Sequence, residues 1–193
     1  MESMQSAMRE TDMPVLDSSV IRNIIGLGMR EALETLFPGI SDTDCKNMVD
    51  RYRVHFFSGE SSAPFEGVEK SLSAIAEQEY FMAVATGKGR NGLDRALKST
   101  GFEQWFHASR CADETRSKPH PQMLEEILDE LGVMPDKALM IGDTEYDLQM
   151  AKNVGMASAA VSYGVHETDR LLALDPEVMI HSMPELVDWL NED

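Results

Sequence analysis

The sequence predicts an α/β protein, a doubly wound parallel sheet preceded by a small helical cap. Three observations carry that prediction. From Pro64 onward short apolar runs alternate with helical segments of about ten to thirteen residues, as in a parallel sheet with helices on both faces. Residues 2–60 contain no convincing strand. The run Ala138-Leu139-Met140-Ile141 stops at Gly142, and an acid follows at once, as where a buried strand opens onto a ligand crevice.

The elements follow in order. Glu2 to Glu10 reads as helix. Asp17-Ser18-Ser19 caps Val20 to Ile25, which Gly26-Leu27-Gly28 breaks; Met29 to Leu36 resumes at helical spacing until Phe37-Pro38-Gly39. Ser41-Asp42 precedes a longer helix, Asp44 to Phe57. The Ser/Gly-rich stretch from Ser58 to Pro64 marks the boundary of the cap. Beyond it come a helix from Glu66 to Gln78, a strand from Tyr80 to Ala85, a helix from Asn91 to Ser99 and a strand from Phe106 to Ser109. A helix from Pro121 to Leu131, the strand Ala138 to Ile141 and a helix from Leu148 to Val154 come next. A strand from Ala157 to Val161 and a last helix from Pro184 to Leu190 complete the series. The expected organisation is therefore a leading helix (1–13), a helical cap (14–65) and an α/β core (66–193).

Of 193 residues, 17 are Lys or Arg and 34 are Asp or Glu, a net charge of −17 spread along the chain. Such a surface repels nucleic acid and anionic membrane. No stretch approaches the roughly 18–20 apolar residues of a membrane span. Met1-Glu2-Ser3-Met4 is not a basic region leading into an apolar one, so no secretory signal is read there. Cys45 and Cys111 lack CxxC spacing, and two free thiols in a cytoplasmic protein are expected. An anionic substrate would need local cations against the global field, and Lys88, Arg90 and Lys118 are candidates.

Three strand ends gather the chemistry. Thr86-Gly87-Lys88-Gly89 places a hydroxyl and a glycine turn ahead of a helix, suited to holding a phosphate through side chain and backbone N–H. In Arg116-Ser117-Lys118-Pro119-His120-Pro121, two prolines at a helix entrance restrain the lysine. Gly142-Asp143-Thr144-Glu145-Tyr146-Asp147 sets two acids one helical turn apart, able to share a face. Thr86 and Lys118 would neutralise phosphoryl oxygens, and the acid would hold a hard cation such as Mg²⁺.

This ordered set resembles the haloacid dehalogenase superfamily of phosphatases, in particular the phosphoglycolate phosphatase-like branch with a helical cap. Val84-Ala85-Thr86-Gly87-Lys88 resembles its second motif, Lys118-Pro119-His120-Pro121 its third, and Gly142-Asp143 through Asp147 its fourth. Ala112-Asp113-Glu114-Thr115 and Val161-Ser162-Tyr163-Gly164-Val165 are also similar to family segments. The resemblance implies a Mg²⁺-dependent phosphatase of a small phosphorylated metabolite. Thr86 and Gly87 would bind the phosphoryl group and Lys118 would bridge it to the nucleophile. Asp143 would ligate Mg²⁺, and Asp147 would serve the metal or brace Lys118. Substrate choice would fall to the cap, with Arg22, Arg30 and Arg51 as candidates for an anionic tail.

The resemblance also implies a nucleophilic aspartate in a DxDGT-like first motif, at the end of a strand before the cap. No Asp-x-Asp precedes the cap; Asp42-Thr43-Asp44 lies inside it, where it is expected to cap a helix. The chain is thus expected to begin within the helix after that motif, through a misassigned or alternative start. As it stands it should form no phospho-enzyme, bind Mg²⁺ weakly and be inactive or crippled. The two sheet edges flanking the first strand should be unpaired, inviting self-association. The rival reading is a non-catalytic phosphate-binding or interaction protein, a pseudo-phosphatase, against which stands the retention of Thr86, Lys118, Asp143 and Asp147. A response-regulator-like domain and a true dehalogenase fit the front cap and the Lys118-Pro119 context less well.

Overall fold

The computed structural model describes residues 1–58 and 63–192. The expected cap boundary falls largely on residues 59–62, outside the described residues. Four helices make up the front section: α1 (Glu2–Glu10), α2 (Ser18–Arg22), α3 (Met29–Leu36) and α4 (Asp42–Ser58). Met4, Ala7 and Met8 of α1 join Ile21, Ile24, Ala32, Leu33, Cys45 and Met48 in one apolar cluster. The spacing of Met4, Ala7 and Met8 puts them on a single helix face. α4 starts at Asp42, and its cap is Ser41, whose Oγ accepts the Asp44 N–H at 3.1 Å.

The core alternates α5 (Val68–Glu77), β1 (Ala83–Thr86), α6 (Arg90–Thr100), β2 (Ala108–Cys111), α7 (Gln122–Leu131), β3 (Leu139–Gly142), α8 (Glu145–Val154), β4 (Ala157–Val161), α9 (Thr168–Leu172), β5 (Val178–Ile180) and α10 (Met183–Leu190). Every strand pairing is parallel. Apolar residues of α5, α10 and β5 cluster on one side, and Met123, Leu124 and Leu128 of α7 pack with Met150 and Ala151 of α8 in another cluster. The α/β class read from the sequence is therefore the observed one.

The sheet is in two pieces, β2–β1 and β3–β4–β5. The free edges of β1 and β3 have no strand partner among the described residues, and Val84, Ala85, Met140 and Ile141 from those edges line the same cavity. Ile141, in the middle of β3, is consequently 38% exposed. Several boundaries move. β1 begins at Ala83 because Tyr80 and Phe81 are exposed, Phe81 packing edge-on to His107 with centroids 5.1 Å apart. β2 runs two residues later than expected. α8 starts at Glu145 instead of Leu148, because Thr144 and Asp147 form a reciprocal cap. α9 and β5 were not anticipated.

Candidate active site

One cavity of about 760 Å³ lies where the cap meets the carboxyl ends of β1 and β3. Thr86, Gly87, Lys118, Asp143 and Asp147 all line it. Their convergence can be traced through Gly26-Leu27-Gly28, which spans at most about 7 Å of chain. A β-carbon at Gly26 would lie 2.9 Å from Thr144 Oγ1, and one at Gly87 would lie 2.8 and 2.7 Å from the carbonyl oxygens of Gly26 and Leu27. Gly28 N–H donates to Ser117 Oγ at 2.7 Å. Three neighbouring residues of the cap thus touch the loops after β1, before α7 and after β3.

The most buried polar group is built on Asp147. Its Oδ1 accepts from Lys118 Nζ at 2.5 Å, and its Oδ2 accepts from the Thr144 hydroxyl at 2.7 Å and the Thr144 N–H at 3.2 Å. Lys118 is 6% exposed and Asp147 4% exposed, so the pair is shielded on nearly all sides. Gly142 leaves room for it, since a β-carbon there would run into the Asp147 side chain. With both oxygens engaged, Asp147 is arranged to brace Lys118. A carboxylate has about four lone-pair sites, so these contacts leave Asp147 Oδ1 one more acceptor position. The lysine keeps two of its three N–H donors.

At the end of β1, Thr86 Oγ1 accepts the Lys88 N–H at 3.1 Å, which leaves the hydroxyl proton free to donate. Asp143 accepts the Val165 N–H at 3.0 Å on Oδ2 and is fitted against Gly164, where a side chain would collide with it. Burial, and secondly the charge of Asp147, push the Asp143 carboxyl above the ordinary carboxylate range. A cation beside it would restore the charged form. Mg²⁺ prefers carboxylate oxygen and retains waters, so Asp143 fits it as a single protein ligand. No cluster of three or more His, Cys, Asp or Glu able to hold a metal occurs among the described residues.

Other candidates are engaged elsewhere. Arg90 binds Glu114 at 2.7 Å and Ser109 Oγ at 2.9 Å. Arg30 pairs with Glu34 and Asp42, and Arg51 reaches Glu10 at 3.9 Å. Arg22, Arg30 and Arg51 do not line the cavity; the cap arginine that does is Arg53. Sequence reasoning had no means of choosing it. Asp113 caps α6 by accepting the Arg90 N–H at 2.9 Å, and the buried Cys45 and Cys111 are free thiols. Behind Asp143, His166 Nδ1 accepts the Glu145 N–H at 3.2 Å, while its buried Nε2 lacks a hydrogen-bond partner among the described residues. Burial, then Arg170, lowers the pKa of His166.

A parallel α/β core with a helical cap, and a polar centre at its strand ends, defines the class. Residues 1–161 match the model of the haloacid dehalogenase-like hydrolases, and the chain belongs to that family. It is similar to Pyrophosphatase PpaX of Halalkalibacterium halodurans, 29% identical over 171 residues covering 83% of this chain and 80% of that protein. It is also similar to a Dickeya dadantii protein named Probable phosphatase IndB, 34% identical over 188 residues covering 94% and 82%. In fold it resembles a hydrolase from Pseudomonas syringae, with a TM-score of 0.90 at 17% identity, covering 99% of this chain and 90% of that one.

Proposed function

We propose that the cavity is the phosphate-handling centre of a Mg²⁺-dependent phosphatase acting on a small phosphorylated metabolite. The observation that carries this reading is the buried Lys118–Asp147 pair, 2.5 Å apart, opening onto the cavity that Thr86, Gly87 and Asp143 also line. Relatives named as phosphatases support it.

Thr86 donates its hydroxyl proton to a phosphoryl oxygen. The Gly87 N–H offers a second donor at a place where only glycine tolerates the approach of the Gly26 and Leu27 carbonyls. Lys118 supplies positive charge and two N–H donors, held on target by Asp147. Asp143 would hold Mg²⁺, which would supply positive charge against the phosphoryl oxygens. The aspartyl nucleophile implied by the family resemblance is none of these residues. Within these 193 residues turnover by that route is therefore absent or crippled, while phosphate binding persists. The unpaired edges of β1 and β3 leave Ile141 uncovered and favour self-association. The free thiols suit a cytoplasmic setting, and no helix among the described residues is long and apolar enough to cross a membrane.

The test compares this chain with one extended at its N-terminus by a strand ending in Asp-x-Asp-Gly-Thr. Hydrolysis of p-nitrophenyl phosphate with Mg²⁺ is measured for both. A gain on the order of 10⁶, as for restoring a catalytic nucleophile, is expected. Equal rates would contradict the mechanism. Mg²⁺-dependent phosphate binding by the extended chain without turnover would favour the non-catalytic reading.

A further inference from the structure

We propose that the preferred substrate is a phosphomonoester whose leaving group carries an aromatic ring, seated against two aromatic pairs of the cavity, Tyr52–Phe56 and Phe65–Tyr163. The inference rests on the phosphate reading of Thr86, Gly87 and Lys118 given above.

All four rings line the cavity that those three residues line. Val49, Tyr52 and Phe56 follow one another at the spacing of a single face of α4. Tyr52 and Phe56 stack with ring centroids 5.4 Å apart and an interplanar angle of 21°, making a flat wall. The second pair meets at a steeper angle, Phe65 and Tyr163 having centroids 5.0 Å apart and planes inclined by 69°. A flat wall and an edge-on pair in one cavity offer a further ring both favoured geometries, offset stacking and edge-to-face contact.

Each pair adjoins the groups that would hold the phosphoryl end. Lys88 is two residues from Thr86, about 7 Å of extended chain at most, and places Nζ 5.9 Å from the centroid of the Phe56 ring. Tyr163 precedes Gly164, against whose backbone the Asp143 side chain packs. Tyr52 and Tyr163 also lean on the apolar clusters of the cap and of the α5–α10 side, which fixes the inner end of each pair.

The outer rings are not consumed by the core. Phe56 is 41% exposed and Phe65 62% exposed, although both face a concave surface. None of the four rings sits on β1 or β3, so their exposure is separate from that of the unpaired sheet edges. The volume of about 760 Å³ is far more than a phosphoryl group fills. A mostly apolar wall with a few polar groups fixing orientation is the usual form of a small-molecule site. A compact aliphatic ester would leave that aromatic surface in water.

The test is calorimetric titration of the 193-residue protein with methyl, cyclohexyl and phenyl phosphate, in one Mg²⁺-containing buffer at fixed ionic strength. The three esters share the phosphoryl group and differ only in what it carries. Phenyl phosphate should bind at least about tenfold more tightly than methyl phosphate and about threefold more tightly than cyclohexyl phosphate. Phe56→Ala and Phe65→Ala should each weaken phenyl phosphate by about threefold or more and leave methyl phosphate within twofold. Phe81→Ala, at an exposed ring outside the cavity, should change neither. Equal binding of phenyl and methyl phosphate, equal binding of phenyl and cyclohexyl phosphate, or a phenyl preference that both cavity variants leave intact overturns this inference alone. Failure of all three esters to bind overturns the phosphate reading as well.

Discussion

Replacing Lys118 with Met isolates the physical heart of the site. Two unit charges 2.5 Å apart attract by roughly 7 kcal/mol at an effective dielectric of about 20, before the cost of removing both from water. The net value of such a pair is much smaller, but deleting one member leaves the other buried and uncompensated, which costs about 3–5 kcal/mol. Asp147 would be in that state, 4% exposed and with only Thr144 to satisfy it. Against a typical total of about 5–15 kcal/mol, the loss is large. It lowers the melting temperature by roughly 6–20 °C at 2–4 °C per kcal/mol for a chain of this size. Urea unfolding followed by tryptophan fluorescence is a suitable assay, because Trp105 and Trp189 both pack in the α5–α10 cluster. Lys118→Met combined with Asp147→Asn removes the stranded charge, and the amide oxygen can still accept from Thr144. The double variant should be more stable than the single one by at least about 1 kcal/mol. A loss below about 1 kcal/mol for Lys118→Met, the size expected of an exposed pair, would refute the burial argument.

Other expectations are independent of that pair. His166 has its pKa lowered in the folded state, chiefly by burial, so below the ordinary histidine value the unfolded chain takes up the proton first. Stability should therefore fall as pH drops from 7 toward 5.5, and His166→Gln should flatten that decline; an unchanged slope would mean that another group controls it. Gly87→Ala forces a methyl group against two backbone carbonyls at 2.7 and 2.8 Å, and should cost about 1–3 kcal/mol in urea unfolding. Gly92→Ala in α6, whose nearest neighbour is 3.7 Å away, should instead stabilise by up to about 1 kcal/mol. Thr144→Val removes the hydroxyl half of the α8 cap, leaving the backbone N–H to Asp147 in place, and should cost about 1–2 kcal/mol by the same assay; no loss would show that the hydroxyl half is dispensable.

Much of this architecture was legible because period and punctuation agree. The strands before Thr86 and Gly142 are short apolar runs stopped by a turn, and such runs end where a parallel sheet builds its sites. Thr86, Lys118 and Asp143 are therefore assignable to one sheet edge from the sequence. Three features were not legible. The engagement of Asp147 Oδ2 depends on Thr144 turning inward, which only the folded geometry reveals. The contact of Gly28 with Ser117 crosses 89 positions and leaves no local trace. The choice of Arg53 over Arg51 is made by which face of α4 lines the cavity, a packing outcome beyond the reach of charge spacing. The three-residue strand Val178–Ile180 is too short to show alternation and gains its place by pairing with β4.

Titration of the protein with inorganic phosphate, with and without Mg²⁺, asks directly whether hydroxyl, ammonium and carboxylate act on one ligand. Phosphate affinity should rise when Mg²⁺ is present. Thr86→Ala should weaken phosphate in both conditions, and Asp143→Ala should abolish the Mg²⁺ effect alone. Phosphate binding that ignores Mg²⁺ and survives Thr86→Ala would contradict the account.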